Sequence, residues 1–156
     1  MRLLGSFFVS VLLAVSTSAA ADDPDFLTLG AGYYDIYQTK HEATELRAEY
    51  RFDEKIWVFK PLIGVMGTSD SAYYGYGGIL LDLFFGRRLV LTPGFAAGYY
   101  EDGNGRDLGY GLEFRSSIEF SYRFDNRARI GLSFYHLSNA NLGNFNPGTE
   151  VLSLLY

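Results

Sequence analysis

The sequence contains no cysteine. Secreted domains of this size often rely on disulfides, so some other form of closure has to hold this chain together. Only 4 prolines interrupt 156 residues. No uninterrupted apolar run reaches the roughly 18 residues that a transmembrane helix needs. Positive charge is scarce as well: 13 Lys and Arg stand against 18 Asp and Glu, a formal net charge of -5. A nucleic-acid partner favours a basic surface, which this chain lacks. The histidines are His41 and His136, distant in sequence and without a cysteine to join them. That combination cannot build a zinc site, and no metal and no cofactor are expected.

What the chain does have is 18 glycines, 13 tyrosines and 13 phenylalanines. Strand formers with frequent glycine point to an all-β protein. The first stretch stands apart. Arg2 opens it, Phe7 to Val15 form a short apolar core, and the small residues Ser16 to Ala21 follow. This order is that of a cleavable secretory signal. The expectation is a signal over residues 1–21, cut after Ala20 or Ala21, and a single mature domain over 22–156. Losing Arg2 takes the formal charge from -5 to -6.

Beyond the signal, polarity alternates with period two. Thr44, Leu46, Ala48, Tyr50 and Phe52 share one face, and Glu45, Arg47, Glu49 and Arg51 the other. Leu112, Phe114, Ser116, Ile118, Phe120, Tyr122 and Phe124 oppose Glu113, Arg115, Ser117, Glu119, Ser121 and Arg123 in the same way. Successive strand side chains point to opposite faces, so each segment has an apolar side and a charged side. Eight such segments are expected, at about 26–37, 43–52, 55–67, 72–85, 87–100, 108–124, 127–138 and 148–156. Phe52 to Lys55, Gly86 to Arg88 and Asp125 to Arg127 read as tight turns. Residues 38–42, 68–71, 101–107 and 139–147 read mostly as longer loops. An even strand count with short turns at one end and longer loops at the other describes an eight-stranded antiparallel transmembrane β-barrel of the bacterial outer membrane. Both chain ends would then be periplasmic, and the long loops would face out from the cell.

Side-chain volume decides which face is inside. A secreted eight-stranded barrel of the lipocalin kind turns its apolar face inward. Here that face carries Tyr50, Phe52, Trp57, Phe59, Phe95, Tyr99, Phe114, Phe120, Tyr122, Phe124 and Phe134, too much bulk for so narrow an interior. The apolar set must face lipid, with Tyr110 and Tyr122 at girdle level. The charged set must fill the lumen as a plug, Glu45, Glu49, Asp82, Glu113 and Glu119 offset by Arg47, Arg51, Lys60, Arg115 and Arg123.

Two segments break the alternation. In the seventh, Ala128, Ile130, Leu132 and Phe134 are followed on the same face by His136 and Ser138. In the eighth, Glu150 precedes Leu152, Leu154 and Tyr156. Ionisable groups on a lipid-facing wall are costly and usually functional. A hairpin centred near Gly143 sets Glu150 opposite His136, close enough for a hydrogen bond. Serine, histidine and carboxylate together are what nucleophilic acyl transfer needs. From the residues alone, a polar rim at headgroup level stays open beside the triad.

The segment His136-Leu137-Ser138-Asn139-Ala140, followed by Asn146-Pro147-Gly148-Thr149-Glu150, resembles the active-site segment of the lipid A 3-O-deacylase family. The resemblance covers about 15 residues and agrees with the architecture read from the whole chain. It implies Ser138 as nucleophile, His136 as base and Glu150 as orienting acid, on the outer surface of the barrel. It also implies an oxyanion hole drawing on a loop backbone N–H and an asparagine side chain, here at Asn141 and Asn146. Asn141 departs from the glycine usual at its position, although asparagine tolerates left-handed backbone well. Lipid A in lipopolysaccharide would be the substrate and the outer membrane the location. Nothing in the sequence decides for or against a homodimer.

Other features carry less. His41, between Lys40 and Glu42, reads as a solvated loop residue. Glu101 to Asp107 lacks the longer pattern of a calcium loop and reads as exposed. Tyr76-Gly77-Gly78 on a strand suggests close barrel packing. The competing functions are a non-catalytic structural or adhesive barrel and a different lipid enzyme, such as a phospholipase or an acyltransferase.

Overall fold

The protein is described by a computed structural model covering residues 23–156. The expected signal, residues 1–21, lies outside the described residues. Nine strands follow in order: β1 (Phe26–Tyr34), β2 (Ala43–Arg51), β3 (Lys60–Thr68), β4 (Tyr73–Leu80), β5 (Leu83–Phe85), β6 (Leu89–Glu101), β7 (Leu112–Arg123), β8 (Arg129–Ser138) and β9 (Thr149–Leu155). All pairings are antiparallel, and no helix occurs among the described residues.

β4 and β5 form one stave. Leu80 faces Gly94 and Leu83 faces Leu91 on β6, an unbroken register. Between them the Leu81 N–H donates to the Pro93 carbonyl at 3.0 Å, but proline has no N–H to return. The ladder lapses there and resumes. The segment expected at 72–85 is therefore a single stave interrupted by its neighbour's proline. Counted this way the sheet has eight staves. Pairing of β1 with β9 closes it into a barrel, so no strand is left with an open edge, as a membrane-spanning sheet requires.

Two strand boundaries differ from expectation. Residues 55–59 do not extend β3: Ile56 and Phe59 pair with each other in a small hairpin. Trp57 stands at its tip with φ 62° and 84% exposed. The connection expected to be tight at Phe52 is thus a longer excursion. β7 begins at Leu112 rather than near 108. Gly109, with φ 87°, bends the preceding chain into a loop, and Tyr110 lies in that loop.

Side chains sort as volume demanded. Leu27, Leu29, Ile63, Val65, Phe95, Phe120, Leu132 and Leu154 are exposed on the outer wall. Phe114, half-buried, stacks on Phe95 with centroids 6.0 Å apart. Glu45, Arg47, Glu49, Arg51, Lys60, Glu113, Arg115 and Glu119 are buried in the lumen. Arg51 bridges Glu49 at 2.5 Å and Glu119 at 2.7 Å, and Arg115 reaches Glu49 at 3.2 Å. Arg123 pairs with Asp23 at 2.7 Å, a partner just outside the strands.

The plug is not made of charge alone. Tyr34, Tyr74, Tyr76, Tyr100 and Tyr135 are also buried inside. Their rings take arginine over the face: Arg115 Cζ lies 4.4 Å from the Tyr135 centroid and 5.2 Å from that of Tyr76. Their hydroxyls donate to carboxylates, Tyr76 to Glu49 at 2.6 Å and Tyr135 to Glu45 at 3.2 Å. Alternation assigns a face but does not predict that tyrosine would supply so much of the inner filling. One expected offset is missing: both Glu113 carboxylate oxygens are buried and accept no hydrogen bond among the described residues. Glycine permits close strand approach where it was read to, since a Cβ on Gly78 would lie 2.2 Å from the Phe95 carbonyl oxygen.

Candidate active site

β8 and β9 bring the candidate residues together. Their register pairs His136 with Glu150, Phe134 with Leu152 and Leu132 with Leu154. His136 Nδ1 lies 2.9 Å from Glu150 Oε1. A carboxylate only accepts hydrogen bonds, so Nδ1 is the donor in this contact, and in the neutral imidazole the lone pair is then on Nε2. Both side chains sit on the outer wall, His136 42% exposed and Glu150 20%. Ser138 is the next outward position on β8, opposite Phe114 of β7. Outward neighbours on a strand are about 6.5–7 Å apart between Cα atoms. Among the described residues no hydrogen bond joins Ser138 to His136. Catalytic hydrogen bonds often tighten only once substrate is bound.

Gly148 shapes the imidazole's surroundings. A Cβ there would lie 2.7 Å from His136 Cε1 and 3.3 Å from Nε2. Its φ of 61° also disfavours any other residue. The missing side chain leaves the Nε2 edge of the ring open toward the loop end of the barrel, where Ser138 stands.

The loop after Ser138 is organised by Asn139, which is fully buried. Its Nδ2 donates to the carbonyls of Leu108 and Phe145, both at 2.8 Å. Its Oδ1 accepts from the Asn141 N–H at 2.9 Å. Its own N–H donates to Asn146 Oδ1 at 3.1 Å. These bonds hold Ala140 and Asn141 in consecutive left-handed conformations, φ 52° and 63°. Asn141 thus adopts the backbone expected of it, but its N–H is directed to Asn139 in this structure. The Asn146 carboxamide is fixed through its oxygen, which leaves both hydrogens of Nδ2 for another acceptor. No role was read for Asn139 from the sequence, although it lies within the quoted segment.

Apolar surface flanks the site. Phe95 and Phe114 lie on the β6–β7 side, and Tyr37 meets Phe134 on the other with centroids 6.2 Å apart. His41 is exposed and contributes only its backbone N–H, to Asp35. Glu101, Asn104 and Asp107 are exposed as expected, but Arg106 within the same stretch is buried. No group of acidic or histidine side chains able to hold a metal occurs among the described residues.

The model of the lipid A 3-O-deacylase (PagL) family matches residues 42–156. The chain belongs to this family. It is accordingly a lipid A deacylase, a hydrolase on a β-barrel of outer-membrane type. No curated protein matches it in sequence. Among solved structures it is similar to the outer-membrane enzyme PagL, with 19% identity and a TM-score of 0.63 over 83% of this chain and 96% of that one. It is also similar to a de novo designed transmembrane β-barrel, with 10% identity and a TM-score of 0.55 over 86% of this chain and 96% of that one. At these identities the likeness is one of fold. The architecture by itself says nothing of chemistry.

Proposed function

We propose that this deacylase hydrolyses the ester at the 3-position of lipid A, with Ser138 as nucleophile, His136 as general base and Glu150 as the orienting carboxylate. The observation that carries the assignment is the 2.9 Å contact of His136 Nδ1 with Glu150 on a predominantly apolar outer wall. An ionisable pair there is costly without a use, and it leaves Nε2 as a base beside a serine. Ser138 Oγ attacks the ester carbonyl carbon as its proton passes to Nε2. The carbonyl oxygen gains the negative charge. The tetrahedral intermediate collapses to an acyl-enzyme, and the sugar oxygen leaves with the proton from Nε2. Water, activated by the same nitrogen, then releases the fatty acid and restores Ser138.

The Asn146 carboxamide supplies a donor to the oxyanion. The Asn141 N–H joins it when Asn139 Oδ1 releases that hydrogen. Removing one such donor costs roughly 10²–10³ in turnover in comparable sites. The apolar flank formed by Phe95, Phe114, Phe134 and Tyr37 receives the acyl chain. In this reading the loop end faces out from the cell, which puts the triad at the outer leaflet where lipopolysaccharide lies.

Mass spectrometry of lipid A incubated with the purified, detergent-folded protein tests the proposal. Loss of one ester-linked acyl chain by wild type and not by Ser138→Ala is expected. Undiminished deacylation by Ser138→Ala, or fatty-acid release from phospholipid alone, would overturn it.

A further inference from the structure

Pro147 and Gly148, which lead into β9, and Thr149 and Glu150, which open it, are each tied to residues of the 35–38 or 101–107 loops. The Pro147 carbonyl accepts from Gln38 Nε2 at 3.3 Å. The Gly148 carbonyl accepts from Arg106 Nε at 2.9 Å. Thr149 Oγ1 donates to Asp35 Oδ1 at 3.3 Å, and the Glu150 carbonyl accepts from the Ile36 N–H at 3.2 Å. Arg106 joins these anchors. One terminal nitrogen reaches Asp35 Oδ2 at 3.3 Å, and the other donates to Gln38 Oε1. Arg106 in turn is held from below, where its carbonyl accepts from Tyr100 OH at 2.8 Å and Tyr100 OH meets Tyr34 OH at 2.7 Å.

Two of these components, Asp35 and Arg106, are built into the interior, and Gln38 lies at its exposed edge. Asp35 is fully buried and Arg106 is 6% exposed. Asp35 also adopts φ 61°, a conformation that non-glycine residues keep only when surroundings hold them there. A planar guanidinium can address a carbonyl, a carboxylate and a carboxamide at fixed angles, which an ammonium cannot. The object of the arrangement is the backbone at 147–150. That backbone carries Gly148 against the His136 ring and Glu150 against His136 Nδ1.

We infer that Arg106, with Asp35 and Gln38, is a positioning unit that sets the His136–Glu150 pair from two loops distant in sequence. Asp35, Gln38 and Arg106 therefore bear on the site although none of these three side chains hydrogen-bonds a triad side chain. The inference rests on the triad proposed above. It predicts a specific defect: the nucleophile loses activation while the outer wall that receives the acyl chain is unchanged.

The test uses the full chain folded in detergent, with folding of each variant verified by heat-modifiable migration. Two rates are read: kcat and KM for lipid A, and phosphonylation of Ser138 by a fluorophosphonate, in which a serine O–P bond forms and fluoride leaves. Arg106→Ala is expected to lower kcat and the phosphonylation rate by about 10²-fold, the scale of an ångström-sized misplacement, with little change in KM. Added guanidinium should restore part of the rate. Arg106→Ala combined with Glu150→Ala should be no slower than Glu150→Ala alone, because residues acting through one another do not add. Unchanged phosphonylation in Arg106→Ala, or losses that multiply in the double variant, would overturn the inference. If Arg106→Ala does not fold, Gln38→Ala, altered in an exposed loop, takes its place: lower kcat at constant KM supports the unit, and an unchanged kcat refutes it. Failure of the triad reads differently, since wild type itself would then not be phosphonylated at Ser138.

Discussion

Gly148 and His136 are in contact across the β8–β9 hairpin, so closely that a methyl group at 148 would sit 2.7 Å from the imidazole Cε1. The ring and the glycine define each other: the open edge of the base exists because residue 148 has no side chain. Gly148→Ala should therefore cut turnover by more than tenfold, by turning the imidazole away from Glu150, and the left-handed φ of 61° adds a backbone penalty of about 1–2 kcal/mol. Lipid A turnover and heat-modifiable migration, measured on the same preparation, separate the two effects. Full activity in a folded Gly148→Ala would show that the ring does not need this space.

Ser138→Ala should abolish deacylation without unfolding the barrel, because the side chain lies on the outer wall and supports no packing in the lumen. His136→Ala should be about as damaging, since triad members act as a unit. Glu150→Gln should lose less or equally, its part being orientation and charge stabilisation. His41→Ala leaves the backbone N–H that bonds Asp35 and should change little. Lipid A mass after a fixed incubation ranks the four.

Asn139 and Asn146 invite a paired comparison. Asn146→Ala removes the proposed oxyanion donor and should lower kcat by roughly 10²–10³ with the fold intact. Asn139→Ala leaves buried carbonyls at Leu108 and Phe145 without their donor, at about 1–3 kcal/mol for each unsatisfied group. It should reduce both kcat and thermal resistance. If both variants lost only activity, Asn139 would belong to the chemistry rather than to the loop.

Inside the barrel, Glu49 and Glu113 should respond in opposite directions. Glu49 serves Arg51, Arg115 and Tyr76, and removing one partner of a buried network costs about 3–5 kcal/mol. The Glu113 carboxylate has no hydrogen-bonding partner among the described residues. Glu49→Gln should lower the temperature at which the folded band is lost on gels, and Glu113→Gln should hold or raise it. A drop with Glu113→Gln would mean that its charge is compensated after all.

Deleting residues 150–156 should prevent membrane insertion as well as activity. β9 pairs with both β8 and β1, and without it the sheet keeps two open edges, which lipid does not tolerate. A heat-modifiable, inserted product from the truncated chain would contradict this.

Much of this molecule was legible in its sequence because a barrel strand is written with period two. Glu45 to Arg51 and Glu113 to Arg123 declared the lumen, and the apolar partners of that alternation declared the wall. The same rule made His136, Ser138 and Glu150 visible, because each interrupts an apolar face. Counting from Gly143 gave the pairing of His136 with Glu150 that β8 and β9 adopt. What stayed hidden depends on contacts between loops, which have no period. Arg106 looked like one more polar residue in a Gly- and Asp-rich stretch, although a lone cation among Glu101, Asp102 and Asp107 was a signal. The Ile56–Phe59 hairpin was hidden because Ile56, Trp57, Val58 and Phe59 are all strand formers and no turn residue separates them from the strand's true start at Lys60. The interior tyrosines were hidden because their residue type suits either face.

The candidate triad faces sideways, out of the barrel wall between β7 and β9, rather than up into water or down into a lumen. Substrate then arrives by diffusing in the plane of a lipid layer, and the released fatty acid has no need to cross an aqueous phase to leave. The concentration governing the rate is a surface density, the mole fraction of lipid A around the protein. In detergent the turnover rate should fall as micelles are diluted with additional detergent at constant bulk lipid A, and saturation should be reached at a fixed lipid-to-detergent ratio, whatever the volume.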